Sequence, residues 1–290
     1  MQVVRFKTGK QRQTWGWIDP DDDTRILEPL GMVDIAPDGL IAAVGRGLAD
    51  HLATLDAVAH DRAAIRLLAP VERPSKIIGV GRNYRAHAAE SGSSVPDSPM
   101  LFGILPSAIS GPFDDIVLPR QTRKLDWEGE LGVIIGKRAR HVNRSDALAY
   151  IAGYTVLNDV SARDLQRHDG QWTRAKSFDT FKPIGPCLVT VDELGTASDL
   201  RITVRVNGEL MQDARTAMMV FPIDELVEYA SAFCTLLPGD IIATGTPEGV
   251  GFGRTPELYL DVGDVVETEI EGIGMMINRV VAPSMATEGF

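Results

Sequence analysis

A mostly apolar run in the middle of the chain carries three carboxylates: Leu125-Asp126-Trp127-Glu128-Gly129-Glu130-Leu131-Gly132-Val133-Ile134-Ile135-Gly136. Side chains of a β-strand alternate between its two faces, so the apolar side chains would cover one face of a continuous strand. Asp126, Glu128 and Glu130 would share the other face, where like charges repel. A divalent cation that binds carboxylate oxygens would relieve this repulsion. A solvated edge strand with an acidic face is the alternative.

Composition limits the kinds of partner. The chain has 290 residues, of which 44% are apolar, and this is enough for a substantial core. The formal net charge of −11 argues against binding to nucleic acid or to an anionic membrane surface, because both need clustered lysine and arginine. Small molecules are therefore the expected partners.

Cysteine usage and hydropathy indicate the compartment. Cys187 and Cys234 are too few for a disulfide framework and lack the spacing of a metal site. The amino-terminal residues lack the apolar core of a signal peptide, and no run approaches the ~18 apolar residues that a membrane-spanning helix needs. We therefore expect a cytoplasmic protein that does not associate with a membrane.

The chain is predicted to divide near residue 70. Residues 1–70 are expected to form a small α+β domain, in which apolar residues at three- and four-residue steps predict a helix over residues 48–68. Pro70 and Pro74 interrupt this pattern and mark the boundary. In the larger domain, residues 71–290, short strand-like runs are separated by glycine and proline turns.

His87 and Glu90 form a candidate general base. They lie three residues apart, after the short apolar run 77–80. On a helix such positions share a face, so the carboxylate can bind the imidazole, fix its tautomer and raise its basicity. Proton transfer by an enzyme needs a base of this kind. An ordinary surface pair at the same spacing is the alternative.

Three further segments carry candidate site residues. Asp159 follows the predicted strand 153–158 where the chain turns into a helix, a common place for functional side chains. The alternative is that Asp159 only stabilises a turn, with its carboxylate bound to backbone amides. Lys176 lies beside an arginine and an aromatic residue and is either a donor to an oxyanion or a solvated cation. The glycine-rich segment 244–251 is predicted to hold a carboxylate with its amides and hydroxyls, or to be a plain tight turn.

Five segments, taken in order, resemble motifs of the fumarylacetoacetate hydrolase superfamily. They are Gly81-Arg82-Asn83-Tyr84-x-x-His87-x-x-Glu90, Asp126-Trp127-Glu128-Gly129-Glu130-Leu131, Asn158-Asp159-Val160-Ser161-Ala162-Arg163-Asp164, the stretch Trp172 to Asp179, and Thr244-Gly245-Thr246-Pro247-x-Gly249-Val250-Gly251. The likeness spans roughly residues 75–281, and the first 70 residues resemble the amino-terminal extension of many bacterial members. Each motif is weak alone, but their order and spacing carry the resemblance.

This resemblance implies an α+β fold dominated by a mixed, barrel-like β-sheet, with a small amino-terminal domain, in a homodimer. It also implies roles for individual side chains. These are metal ligation by Glu128, Glu130 and Asp159, a catalytic base dyad of His87 and Glu90, a substrate or oxyanion contact by Lys176, and lining of the substrate pocket by Arg82, Tyr84, Gln166 and Thr246.

One position departs from the family pattern. Many members have Phe-x-Lys-x-Pro-Ser before the acidic segment, whereas this chain has Phe102-Gly103-Ile104-Leu105-Pro106-Ser107. Ile104 cannot donate a hydrogen bond or carry a charge. Closure of the site, or the choice of substrate, is therefore expected to differ here.

The implied ligand set decides the expected chemistry. Carboxylates alone suit Mg²⁺, Mn²⁺ or Ca²⁺ better than Zn²⁺, and a metal with open positions can bind a 2-oxo acid. We expect a metal-dependent hydrolase that cleaves a C–C bond in a 2,4-dioxo acid of the fumarylacetoacetate or acylpyruvate type, releasing pyruvate or a related 2-oxo acid. Oxaloacetate decarboxylation and 2-hydroxy-dienoate isomerisation need the same residues and stay open as alternatives. A non-catalytic, metal-stabilised binding protein is the alternative of another class.

Overall fold

The computed structural model describes residues 1–9, 12–30, 37–47 and 54–283. Within these ranges the chain forms mainly β-strands joined by short helices, which confirms the predicted α+β class. No helix in this part of the chain is long and apolar enough to cross a membrane.

Strands account for most of the regular structure. In chain order they are β1 Gln2–Lys7, β2 Gln13–Asp19, β3 Asp22–Pro29, β4 Ala57–Asp61, β5 Arg66–Leu68, β6 Ile77–Gly81, β7 Met100–Ile104, β8 Ile109–Ser110, β9 Ile116–Val117, β10 Leu125–Asp126, β11 Gly129–Ile135, β12 Ile151–Asn158, β13 Ser161–Ala162, β14 Lys182–Thr190, β15 Arg201–Val206, β16 Glu209–Arg215, β17 Ile241–Ala243, β18 Val265–Ile270 and β19 Gly274–Val281.

The helices are short. They are α1 Pro37–Gly45, α2 Arg85–Glu90, α3 Arg163–Asp169, α4 Thr173–Lys176, α5 Val191–Leu194 and α6 Ile223–Phe233. Single turns of 3₁₀-helix occur at Arg62–Ala64, Pro106–Ala108, Thr216–Met218 and Gly251–Gly253, and a longer 3₁₀ segment at Arg144–Tyr150.

The largest sheet is mixed. Its strand order is β4-β3-β2-β1-β14-β12-β11-β17-β6-β7, with β5 paired to β1 and β8 to β14. Most neighbours are antiparallel, whereas β17 and β6 run parallel. Among the described strands this order is an open path that does not close on itself. A second sheet has the order β16-β15-β18-β19-β9, and β10 pairs with β13.

The centre of the large sheet is buried on both faces. Every residue of β11, β12 and β14 is buried. Strands of this kind have continuous apolar runs rather than an alternating pattern. The alternative of a solvated edge strand with an acidic face is therefore wrong for β11. Any charge on these strands needs a partner inside the protein, because an isolated buried charge is very costly.

The acidic segment is not one continuous strand. Strand β10 ends at Asp126 and β11 begins at Gly129, so Trp127 and Glu128 interrupt the alternation. The expectation that three carboxylates share one face is wrong for Asp126. Its carboxylate accepts hydrogen bonds from Arg163 Nε at 2.8 Å and from the amide of Gly251 at 2.7 Å.

The amino-terminal strands extend the large sheet, because β1 pairs with β14. The helix predicted over residues 48–68 is wrong from residue 57 onward, where the chain forms β4, a 3₁₀ turn and β5; residues 48–53 lie outside the described part. Strand β4 pairs with β3 along its whole length, and this ladder outweighs the helical spacing of the apolar residues. The division of the chain at residue 70 stays a prediction.

Asn83 fixes the backbone where β6 meets the candidate site. Its Nδ2 donates to the carbonyls of Phe221 at 3.0 Å and Thr244 at 2.7 Å, and its Oδ1 accepts from the amide of Phe221 at 2.8 Å. The side chain is fully buried. Asn83 therefore joins the segment after β6 to the loop after β17, and both segments contribute to the site.

The substitution Asn83→Ala should lower the free energy of unfolding by about 3 kcal/mol, because it leaves several buried backbone groups without partners. Urea denaturation followed by circular dichroism measures this. The control is Asn143→Ala, an exposed position whose side chain makes no capping hydrogen bond, and it should change the value by less than about 0.5 kcal/mol. A loss below about 1 kcal/mol in Asn83→Ala would contradict this role.

Candidate active site

A cavity of about 230 Å³ lies beside α3 and α4, where β6 and β12 end and β11 begins. Its wall includes most of the residues that the sequence predicted for the site. These are Arg82, His87, Glu128, Glu130, Asp159, Gln166, Lys176 and Thr246. Glu90 and Tyr84 are not on the wall. The fold therefore brings segments that are far apart in sequence to one place.

Glu128, Glu130 and Asp159 converge on one side of this cavity. One carboxylate oxygen from each lies within 4.8 Å of the others, and all three residues are buried. Strands β11 and β12 are antiparallel neighbours with Gly129 opposite Asn158, which places the three acidic residues at the same end of the pair. The register of two strands thus produces the cluster.

Cationic side chains surround two of these carboxylates. Lys176 Nζ donates to Glu128 Oε2 at 2.5 Å and to Asp159 Oδ2 at 2.8 Å. Arg163 Nη2 lies 2.6 Å from Glu128 Oε1, and Lys182 Nζ lies 2.7 Å from Asp159 Oδ1. Both oxygens of Glu128 and both oxygens of Asp159 therefore have a cationic neighbour.

Glu130 differs from the other two. Its Oε2 accepts a hydrogen bond from the amide of Gly245 at 2.9 Å, and no described cationic side chain pairs with it. Burial, together with repulsion from Asp159 and Glu128, raises the pKa of Glu130 well above its ordinary value. Burial also disfavours the charged form of Glu128, but Arg163 and Lys176 outweigh this effect and lower the pKa of Glu128 to about 2.

The donor set fits a hard divalent cation. Four buried carboxylates, counting Asp126, face three buried cations, so one negative charge has no counterpart among the described groups. The uncompensated carboxylate is Glu130, and it lies beside oxygens of Glu128 and Asp159. Oxygen ligands without nitrogen or sulfur favour Mg²⁺, Mn²⁺ or Ca²⁺.

His87 and Glu90 form the predicted pair. His87 Nδ1 lies 2.7 Å from Glu90 Oε1, and Glu90 Oε2 accepts from the amide of Gly249 at 2.9 Å. A hydrogen bond to a carboxylate places the proton on Nδ1, so Nε2 is the basic nitrogen. The His87 ring packs edge-on against Phe252, with centroids 6.2 Å apart. His87 lines the cavity and Glu90 holds it from behind.

The glycine-rich loop holds carboxylates of the protein itself. Amides of this loop donate to Glu130, to Glu90 and to Asp126. The sequence predicted that these amides bind a carboxylate, and the structure shows that their partners lie within the chain. At Gly249, φ is +98° and a Cβ would lie 2.1 Å from the carbonyl oxygen of Met211, so only glycine fits.

The predicted pocket residues differ in their placement. Gln166 Oε1 accepts from Arg163 Nη1 at 3.0 Å, which leaves its amide group free to donate to a ligand. The Thr246 hydroxyl donates to the carbonyl of Gly129 at 3.0 Å, so its proton is already used. Tyr84 is buried away from the cavity wall, and its hydroxyl has no hydrogen-bond partner among the described residues.

Ile104, the departure from the family pattern, is not on the cavity wall. It ends strand β7 opposite Ile77, and both side chains are buried in the apolar core. A lysine at this position would have to place its charge in that core or extend out of it. The isoleucine is therefore accounted for by packing.

Several residues around the site were missed by the sequence reasoning. Lys182 is fully buried, and its Nζ also donates to the carbonyls of Val160 at 3.1 Å and Phe181 at 2.9 Å. Burial lowers its pKa to about 8, despite the nearby Asp159. A lysine within the apolar run of β14 was the available signal. Gln212 is also buried, and its Oε1 accepts from the amide of Gly129 at 2.9 Å.

The substitution Lys182→Met should lower the free energy of unfolding of the chelator-treated protein by about 3–5 kcal/mol, because Asp159 loses a buried counter-charge. Mn²⁺ should recover more of this free energy in the variant than in the wild type, since the ion supplies the missing charge. Denaturant titrations with EDTA and with Mn²⁺ measure both effects. Lys137→Met, at a partly exposed position, is the control. Equal stability of Lys182→Met and wild type in EDTA would contradict the pairing.

Chelator-treated protein should lose stability as the pH rises. Glu130 has a raised pKa when folded, so its contribution is present below about pH 4.5 and is lost as the pH rises through the folded-state pKa. Thermal unfolding in EDTA from about pH 5 to 8 should therefore decline less steeply in Glu130→Gln than in the wild type, since glutamine cannot ionise. Equal slopes would show that Glu130 titrates normally.

Comparison with known proteins extends these observations. Residues 76–281 match the family described as fumarylacetoacetate (FAA) hydrolase C-terminal. The chain is 48% identical over 257 residues to a Bos taurus protein named oxaloacetate tautomerase FAHD2B, mitochondrial. The aligned region covers 87% of this chain and 80% of that protein. It is 40% identical over 282 residues to the 2,4-didehydro-3-deoxy-L-rhamnonate hydrolase of Sphingomonas sp. (strain SKA58), covering 97% and 96% of the two chains.

A solved structure gives the same result for the fold. The 5-carboxymethyl-2-hydroxymuconate delta-isomerase from Mycobacterium smegmatis matches with a TM-score of 0.80 and 38% sequence identity, over 98% of this chain and 100% of that one. The three similar proteins are named as a tautomerase, a hydrolase and an isomerase. The match to the family covers most of the chain, and the resemblance inferred from the motifs is confirmed: this chain belongs to the fumarylacetoacetate hydrolase family of enzymes.

Proposed function

We propose that this protein is a divalent-metal-dependent enzyme of small 2-oxo acids that hydrolyses a C–C bond in a 2,4-dioxo acid, giving pyruvate or a related 2-oxo acid. One observation carries the proposal. The basic Nε2 of His87 belongs to the same cavity wall as the carboxylates of Glu128, Glu130 and Asp159. A base beside a cation-binding cluster can act on a substrate that the cation orients.

The cavity suits a small, anionic substrate. Its volume of about 230 Å³ is below the range of about 300–1,000 Å³ that is usual for drug-sized ligands. Charged and polar groups dominate the wall, and Phe102 and Trp172, with ring centroids 5.1 Å apart, supply an apolar side. A short chain with a carboxylate and carbonyl oxygens matches this environment.

Glu128, Glu130 and Asp159 would hold Mg²⁺ or Mn²⁺, with Ca²⁺ as a further candidate. When bound, such an ion polarises carbonyl oxygens and orients the substrate. The Lys176 ammonium has three protons, and its two carboxylate partners use two of them. The third proton is available to an oxyanion, which agrees with the role implied for Lys176 by the family resemblance.

The hydrolytic steps follow from the dyad. His87 Nε2 takes a proton from water while the water oxygen bonds to C4 of the dioxo acid, and Glu90 stabilises the imidazolium that forms. The C3–C4 bond then breaks, C4 becomes a carboxylic acid, and C3 takes the proton from His87. The products are an acid and a 2-oxo acid, which together contain the elements of the added water.

Proton transfer without water is a second candidate function. The 48%-identical relative is named as a tautomerase and the matching solved structure as an isomerase. His87 could move a proton between carbon and oxygen of oxaloacetate or a 2-hydroxy-dienoate with the same contacts. Decarboxylation of oxaloacetate also needs no activated water. A metal-stabilised binding protein would need neither a base nor an open cavity.

The homodimer implied by the family resemblance stays a prediction.

The substitution His87→Ala should lower kcat by about 10²- to 10⁴-fold while metal binding is kept, because the general base is lost and the ligands are not. The measurement is loss of enol absorbance with a panel of acylpyruvates, oxaloacetate and a 2-hydroxy-dienoate, in Mg²⁺ or Mn²⁺ and in EDTA. His168→Ala is the control, since the His168 side chain is 81% exposed. Turnover that survives EDTA, or that His87→Ala leaves intact, would overturn the mechanism.

A further inference from the structure

We propose that Arg82 binds a second carboxylate at the far end of the substrate, so that the preferred substrates are 2-oxo dicarboxylates rather than 2-oxo acids with an uncharged tail. This inference rests on the proposed function of the site. It assigns a substrate class to the cavity and a specificity role to one residue.

Arg82 is a cavity cation without a partner. It is half-buried on the cavity wall, and its guanidinium makes no hydrogen bond or ion pair with any residue in the described ranges. The other cations of the wall are engaged. Lys176 binds two carboxylates, Arg163 pairs with Asp126, and Arg167 lies 3.3 Å from Glu257. A planar guanidinium matches a carboxylate with two parallel hydrogen bonds, so Arg82 is the group available to a ligand anion.

The backbone holds Arg82 in an uncommon conformation. Its φ is +58°, in the left-handed region that glycine adopts without cost. Both neighbours are fixed: a Cβ on Gly81 would lie 2.7 Å from the Trp172 ring, and Asn83 makes three buried hydrogen bonds. The turn would therefore accept glycine at position 82. An outlier of this kind beside a cavity is a reason to look for a function of the side chain.

Charge balance supports the same assignment. The buried cluster has one more carboxylate than it has cations. A divalent cation and one substrate carboxylate together make the cluster neutral. A second substrate carboxylate would restore an excess negative charge in a poorly solvated cavity unless a further cation met it. Arg82 supplies that charge, whereas an uncharged substrate tail would leave it unused.

Binding of a matched pair of unreactive ligands tests the proposal. Lactate and malate are both 2-hydroxy acids, and they differ only in the distal carboxylate of malate. Isothermal titration in Mg²⁺ buffer should show malate binding to the wild type at least about 10-fold more tightly than lactate. Arg82→Gln should abolish this preference and leave lactate affinity unchanged. Arg85→Gln changes an exposed arginine three residues away and should keep the preference.

A glycine variant separates recognition from folding. Arg82→Gly should lose the malate preference while its melting temperature stays equal to that of the wild type or rises, since glycine relieves the left-handed backbone. In turnover assays, the ratio of kcat/KM for 2,4-dioxoheptanedioate, which has a distal carboxylate, to kcat/KM for methyl-ended acetylpyruvate should fall at least about 10-fold in both Arg82 variants.

Two failures can be told apart. Wild type that binds both ligands but shows no malate preference, or a preference that survives Arg82→Gln, would overturn the role of Arg82 and leave the proposed function intact. Wild type that binds neither ligand in Mg²⁺ and turns over no 2-oxo acid would overturn both proposals.

Discussion

The structure depends on keeping four buried carboxylates together beside the start of β11 and the end of β12, two central strands of the large sheet. Isolated charges there would cost more than the fold can supply, so each needs a partner. Arg163, Lys176 and Lys182 neutralise Asp126, Glu128 and Asp159. Glu130 is left with one backbone amide and a raised pKa. The imbalance favours the binding of a cation at this point.

The loop after β17 connects this cluster to the His87–Glu90 pair. Its amides donate to Glu130, Glu90 and Asp126, so one segment positions a carboxylate of the acidic cluster, the partner of His87 and the partner of Arg163. Backbone amides at fixed positions are well suited to this task, because they cannot be protonated and lose no rotamer freedom. The geometry of the base and that of the acidic cluster are therefore set together.

The His87–Glu90 pair could be predicted from local spacing, since both residues lie on one helix turn. The local pattern of the acidic segment predicted Asp126, Glu128 and Glu130 on one face, whereas Asp159 was added by the family resemblance, and the pairing of β11 with β12 brings it to Glu128 and Glu130. The break between β10 and β11 was not visible in the sequence, because acidic residues occur at every second position across it although the strand is interrupted. Lys182 and Gln212 were missed because their partners are distant in sequence and known only once the strands are paired. The helical spacing of residues 57–68 was overruled by pairing with β3 and β1.

We infer that Glu130 completes a binding site for one divalent cation. Titration of chelator-treated protein with Mn²⁺, followed by the electron paramagnetic resonance signal of the free ion, tests it directly. We predict about one tightly bound Mn²⁺ per chain in the wild type, and at least about 10-fold weaker binding in Glu130→Gln, which keeps the shape of the side chain and removes its charge. Wild type that leaves all Mn²⁺ free, or a variant that binds it as tightly as the wild type, would contradict the claim.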